Sequence, residues 1–112
     1  MEERPVVHGL RTCDTTRAAL KALAGQGAGL RDVREDPLPR EVLADWLARL
    51  GPGLVNRGSA TWRGLGEEER QADPLTLLMR HPALMKRPVV TRGERLTMGW
   101  SGPVRIAWLG PG

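Results

Sequence analysis

Fourteen glycines and nine prolines in 112 residues leave this chain no room for a long uninterrupted element. Glycine weakens helix and strand interiors through its conformational entropy, and proline removes a donor and clashes with the preceding turn. The same residues mark where the short elements begin and end. Pro5-Val6-Val7-His8 is an apolar run closed by Gly9, the pattern of a strand, and Asp14 to Leu23 carries Ala18, Ala19, Ala22 and Leu23 at helical spacing before Gly25. Gly27 to Arg34, with Leu30 and Val33, reads as a second strand ahead of the breakers Asp36-Pro37-Leu38-Pro39. Val42, Leu43, Trp46, Leu47 and Leu50 then share one face of a helix from Arg40 to Leu50, opened by Pro39 and stopped by Gly51-Pro52. A loop through Val55 to Ser59 and the acidic stretch Glu67-Glu68-Glu69 lead into a helix that Asp73 caps and Pro74 opens, running to about Arg80. Pro88 to Thr91 and Glu94 to Met98 flank Arg92-Gly93 as a β-hairpin, and Ser101-Gly102-Pro103 opens a closing helix around Ile106 to Leu109.

The expected order is β α β α α β β α. An early βαβ unit, a helical middle and a late hairpin predict an α/β fold in which helices flank one small mixed sheet, matching a thioredoxin-like arrangement. The length predicts a single domain over residues 1–112, since a chain of this size buries roughly 65% of its unfolded surface without metal or disulfide staples. With no Phe or Tyr, its core must be aliphatic around four Trp. Trp46 falls on the apolar face of its helix, and Trp100 and Trp108 flank the closing helix.

Several function classes are excluded at this level. Cys13 is the only cysteine and His8 and His81 the only histidines, so neither an internal disulfide nor a zinc site of Cys and His alone can form, and no bound cofactor or metal is expected. No charge-free stretch approaches the roughly 20 apolar residues of a membrane span, and the N-terminus has no apolar signal core, which predicts a cytoplasmic protein without a membrane partner. The net charge is +4, but acids sit among the bases throughout, as in Arg31-Asp32-Val33-Arg34-Glu35-Asp36. A nucleic-acid surface calls for basic clusters, so nucleic acid is not the expected partner.

Chemistry concentrates in His8-Gly9-Leu10-Arg11-Thr12-Cys13-Asp14-Thr15-Thr16-Arg17, where a strand ends and a helix begins just after the cysteine. Unpaired N–H groups at a helix N-terminus favour a thiolate, and Arg11 and Arg17 add positive charge nearby. Cys13 is therefore the candidate nucleophile. Cys13-Asp14-Thr15-Thr16 is a Cys-x-x-Cys pattern whose second thiol is replaced by Thr16. With no other cysteine to resolve a disulfide, a redox cycle needs an outside thiol: glutathione, another small thiol or a glutaredoxin.

Four segments in order carry a resemblance: Gly9-Leu10-Arg11-Thr12-Cys13-Asp14-Thr15, Asn56-Arg57-Gly58-Ser59-Ala60-Thr61-Trp62-Arg63, Leu84-Met85-Lys86-Arg87-Pro88-Val89-Val90 and Gly99-Trp100-Ser101. Together they resemble the arsenate reductase (ArsC)/Spx family, most closely its YffB-like branch. The resemblance implies a thioredoxin-like fold with an inserted helical segment, Cys13 as redox cysteine, Arg87 and Arg57 holding an anion beside it, and a cis bond at Pro88. Asp14, Thr15 and Thr16 would supply N–H groups or hydroxyls around that anion. Two positions depart from the arsenate reductase pattern. Gly99 stands where a third anion-binding Arg is expected, and Gly9 where a His precedes the cysteine by four residues, with His8 one position earlier. The expected activity is therefore thiol reduction with glutathione as co-substrate. The alternative is an Spx-like regulatory module that binds the RNA polymerase α subunit, although Thr16 removes the disulfide switch of such proteins.

Overall fold

The computed structural model describes residues 3–111. The chain divides into two compact units: one formed by the residues up to Asp32 together with those from Arg87 onward, and one formed by Val33–Lys86.

The first unit is built on a four-stranded sheet. Strand β1 (Val6–Gly9) pairs in parallel with β2 (Gly29–Asp32) and antiparallel with β3 (Val89–Arg92), which turns back into β4 (Arg95–Met98), giving the order β2-β1-β3-β4. Helix α1 (Asp14–Ala22) crosses between the two parallel strands, and the last helix of the chain (Gly102–Leu109) follows β4. Period-two alternation sends Val7 and Val90, ladder partners, to one face, where Ala19 of α1, Leu23 just after it and Trp108 of the last helix cover them. The Trp108 indole N–H donates to the Thr97 hydroxyl at 2.7 Å, and the Trp108 carbonyl accepts from the Gln26 amide at 3.0 Å. A buried indole needs such a partner, and here it ties the last helix to the hairpin. The hairpin turn is Gly93-Glu94, one residue later than Arg92-Gly93, because Gly93 at φ 59° supplies the left-handed conformation that a two-residue turn requires at its first position.

The second unit is helical: α2 (Arg40–Leu50), α3 (Ala60–Arg63) and α4 (Pro74–Arg80), with single 3-10 turns at Pro52–Leu54, Glu69–Gln71 and Pro82–Leu84. Leu43, Trp46, Leu54, Leu77, Leu78, Leu84 and Met85 form its apolar interior. Gly51, at φ 86°, ends α2, and Asp73 caps α4 by accepting from the Thr76 N–H at 3.0 Å. The expected order lacked α3, whose residues lie next to the stretch read as loop. Ser59 caps this turn by accepting from the Trp62 N–H at 3.1 Å, and four residues are too few to show a period. The strands, the helical segment between β2 and β3, and the α2 boundaries all agree with the α/β, thioredoxin-like expectation.

In this description no helix is long and apolar enough to cross a membrane.

Candidate functional site

Strand β1 ends at Gly9 and α1 begins at Asp14, so the intervening four residues must reverse the chain in little space. The Cys13 N–H donates to the Leu10 carbonyl at 3.0 Å, closing the turn and leaving Cys13 as the helix N-cap, with φ −88° and ψ 120°. Two side chains fasten the turn from outside it. Thr16 accepts from the Leu10 N–H at 3.4 Å, and the Asp32 carboxylate at the end of β2 accepts from the Arg11 N–H at 2.9 Å. Asp32 was not among the residues expected to matter. Its only signal is a carboxylate at the end of a strand-like run, inside a stretch where most residues are charged.

Cys13 is half-buried. Burial pushes its thiol up, but the Thr16 hydroxyl, the Thr16 N–H, the positive charge of Arg87 and the Thr15 N–H act the other way and prevail, leaving the thiol below its ordinary value. These are the helix N-terminal groups expected from the sequence, with a hydroxyl added. Thr16 itself is 0% exposed, and its hydroxyl accepts from the Leu10 N–H.

The cation that acts on the sulfur is Arg87. It stands just before β3, which pairs with β1, and the Arg87-Pro88 peptide bond is cis. Of the two nearer arginines, Arg17 pairs with Asp14 at 2.7 Å on the exposed side of α1, and Arg11 enters through its backbone N–H to Asp32. Gly99, at the position of the absent third arginine, is buried at φ 82° and donates its N–H to the Pro88 carbonyl at 2.8 Å. Arg57 belongs to the helical unit. Its guanidinium lies over the Trp62 ring, 5.3 Å from the centroid, and donates to the Pro52 carbonyl at 3.4 Å. An isolated bridge between Val55 and Met85, with the Asn56 N–H on the Leu84 carbonyl at 2.8 Å, anchors the base of its loop.

His8 is turned to the sheet. Its Nε2 lies 2.9 Å from the Thr91 hydroxyl on β3, and burial, followed by the positive charge of its ladder partner Arg31, lowers its pKa from 6.5 to about 4. Near neutrality it is an uncharged sheet residue. Among the described residues no group of three or more His, Cys, Asp or Glu could hold a metal ion.

The model of the ArsC family matches residues 8–102. A Haemophilus influenzae protein described as uncharacterized is 33% identical over 102 residues, spanning 85% of this chain and 90% of its own. Among solved structures, the YFFB protein aligns with a TM-score of 0.83 at 28% identity, covering 94% of this chain and 98% of its own. An arsenate reductase (ArsC) related protein from Brucella melitensis aligns with a TM-score of 0.71, also at 28% identity, covering 94% and 93%. An arsenate reductase from Vibrio cholerae, 18% identical, shares the fold, with a TM-score of 0.69 over 97% of this chain and 98% of its own.

Proposed function

The chain belongs to the ArsC family as a YffB-like member, and from that premise we propose that it is a thiol-dependent oxidoreductase working through the single thiolate of Cys13. The observation that carries this reading is the convergence of the Thr16 hydroxyl, two helix N-terminal N–H groups and the Arg87 charge on one half-buried sulfur, against the upward push of burial. A thiolate, and not a thiol, is the attacking species, so this arrangement raises the population of the reactive form near neutrality.

The substrate class that fits one nucleophilic cysteine is a mixed disulfide of glutathione. The Cys13 thiolate attacks the glutathione sulfur, the S–S bond breaks, and the substrate leaves as its thiolate and takes a proton from solvent. A second glutathione thiolate then attacks the Cys13–glutathione disulfide, releasing oxidised glutathione and restoring Cys13. Over the cycle the substrate sulfur gains one electron and the incoming glutathione sulfur loses one, while the glutathione sulfur of the mixed disulfide stays at the disulfide level. Arg87 offsets the negative charge that accumulates when a second anion approaches the thiolate. A chain with no resolving cysteine cannot take the intramolecular route, and this accounts for the assignment of an external thiol as reductant.

The test is a pH titration of thiolate ultraviolet absorbance, with Cys13→Ser as blank, followed by mass spectrometry after exposure to oxidised glutathione. A pKa below the ordinary ~8.5 and a single glutathione adduct that reduced glutathione removes are the expected results. An ordinary pKa with no adduct overturns the reading and leaves the regulatory alternative, for which retention of the RNA polymerase α subunit by both wild type and Cys13→Ser is the corresponding assay.

A further inference from the structure

We infer that Asp32 is a positioning residue for Cys13: its carboxylate, lodged at the end of β2, fixes the turn that holds the Thr16 hydroxyl against the sulfur. The inference rests on the reading of Cys13 as the reactive thiolate.

The sequence around Asp32 offers three carboxylates in five residues, Asp32, Glu35 and Asp36, and the fold treats them differently. Glu35 and Asp36 are exposed, whereas Asp32 is 8% exposed. Burying a carboxylate costs free energy unless hydrogen bonds replace its water. The backbone supplies one replacement here, since the Arg11 N–H donates to Asp32 Oδ2 at 2.9 Å. Asp32 is the ladder partner of Gly9, so the parallel register of β1 and β2 sets its side chain beside the point where β1 gives way to the turn.

The contacts then form a chain. Asp32 holds the Arg11 N–H, the preceding Leu10 N–H donates to the Thr16 hydroxyl, and the same hydroxyl acts on the Cys13 sulfur. Cys13 in turn donates its own N–H to the Leu10 carbonyl. Leu10 and Arg11 are thus held by one group from the helix and one from the neighbouring strand. Releasing the second lets the turn shift, and the Thr16 oxygen, which must serve both Leu10 and the sulfur, loses its alignment with one of them. Hydrogen-bond strength falls steeply with misalignment, so a small shift reaches the thiol as a change in its proton affinity. Asp32 touches no reacting atom in this scheme and acts through the turn.

Two substitutions separate the hydrogen bond from the charge. Asp32→Asn keeps an acceptor oxygen at the same reach and removes the charge; Asp32→Ala removes both. The readout is the pH profile of iodoacetamide alkylation at Cys13, normalised to the rate at high pH where the thiol is fully ionised. Asn is expected to stay within about twofold of wild type near pH 6, and Ala to be slower by about threefold or more, the effect of raising the pKa by roughly half a unit. High-pH rates are expected to be equal in all three proteins. If the Ala protein does not fold, Asp32→Ser, whose shorter side chain does not reach Arg11, takes its place. A folded Ala or Ser protein with the wild-type profile overturns the inference, as does an equal shift in Asn and Ala. A wild-type profile with an ordinary pKa instead overturns the reading of Cys13 itself, so the two failures are distinct.

Discussion

Gly9 and Thr16 stand so close that a Cβ added to the glycine would lie 2.7 Å from the threonine Cγ2 and 3.0 Å from its Cβ. The strand delivers the chain to the turn at a place where the buried threonine of α1 leaves no room for a side chain. This explains in physical terms one departure from the arsenate reductase pattern: a histidine at this position and Thr16 in its present rotamer exclude each other. Gly9→Ala is expected to lower stability by about 1–3 kcal/mol, the usual cost of overpacking a filled site, and to raise the Cys13 pKa because Thr16 must move. Thermal unfolding and thiolate titration on the same sample check both.

Thr16→Val removes the hydroxyl and keeps the shape. The sulfur loses a donor and the buried Leu10 N–H loses its acceptor, so the Cys13 pKa is expected to rise and stability to fall by about 1 kcal/mol. Thr16→Ser, which retains the hydroxyl, is expected to restore most of the pKa. If Val and Ser give the same titration curve, the hydroxyl is not what stabilises the thiolate.

Arg87 acts on Cys13 through charge, and charge at a half-buried site is screened by salt. Raising the ionic strength from about 0.1 M to about 1 M shortens the Debye length from ~10 Å to ~3 Å, so the Cys13 pKa of the wild type is expected to climb. Arg87→Gln is expected to start from the higher value and respond to salt much less. Parallel salt titrations of the two proteins decide the matter, and equal slopes would assign the effect to something other than Arg87.

His8 sets a pH dependence of stability. Its pKa in the fold is about 4 against 6.5 ordinarily, so between these values the unfolded chain binds a proton that the folded one refuses. The contribution is fully present above about pH 6.5 and is lost as pH falls toward 4, amounting to about 3 kcal/mol at 1.36 kcal/mol per pKa unit. Urea midpoints from pH 7.5 to 4.5 are expected to fall in the wild type, and His8→Gln is expected to flatten that part of the curve. A midpoint that stays constant down to pH 4.5 in the wild type would contradict the buried, neutral assignment.

The parts of this molecule that the sequence announces are those whose cause is local. Helix α2 is legible from Pro39, from Gly51, whose positive φ ends it, and from five apolar residues on one face. The lowered pKa of Cys13 is legible because the cysteine itself caps the N-terminus of α1. What stays hidden depends on pairing between distant segments. The charge of Arg87 acts on Cys13 because β3 is zipped to β1, with His8 opposite Val89, and no spacing rule gives that, so only the family resemblance pointed to it. Arg17, adjacent in sequence and expected to help, instead pairs with Asp14 one turn of helix away. Asp32 reads as one more charge in a charged run, because burial is a property of the assembled sheet. The inward turn of Thr16 depends on the absence of a Cβ at Gly9, a steric fact that no propensity expresses.

The sheet unit is split in sequence, and this has a consequence for how the protein is made. When β1, α1 and β2 emerge from the ribosome, the strand that must lie against β1 is still unsynthesised, since Val7 pairs with Val90. The unit from Val33 to Lys86 is continuous and is made in one stretch, whereas the core around Val7 and Ala19 stays open until Trp108 has been added. Chains generally fold from the N-terminus onward as they are synthesised. Here the core that carries β1 and α1 is closed only by segments made after the helical unit, strand β3 and the last helix.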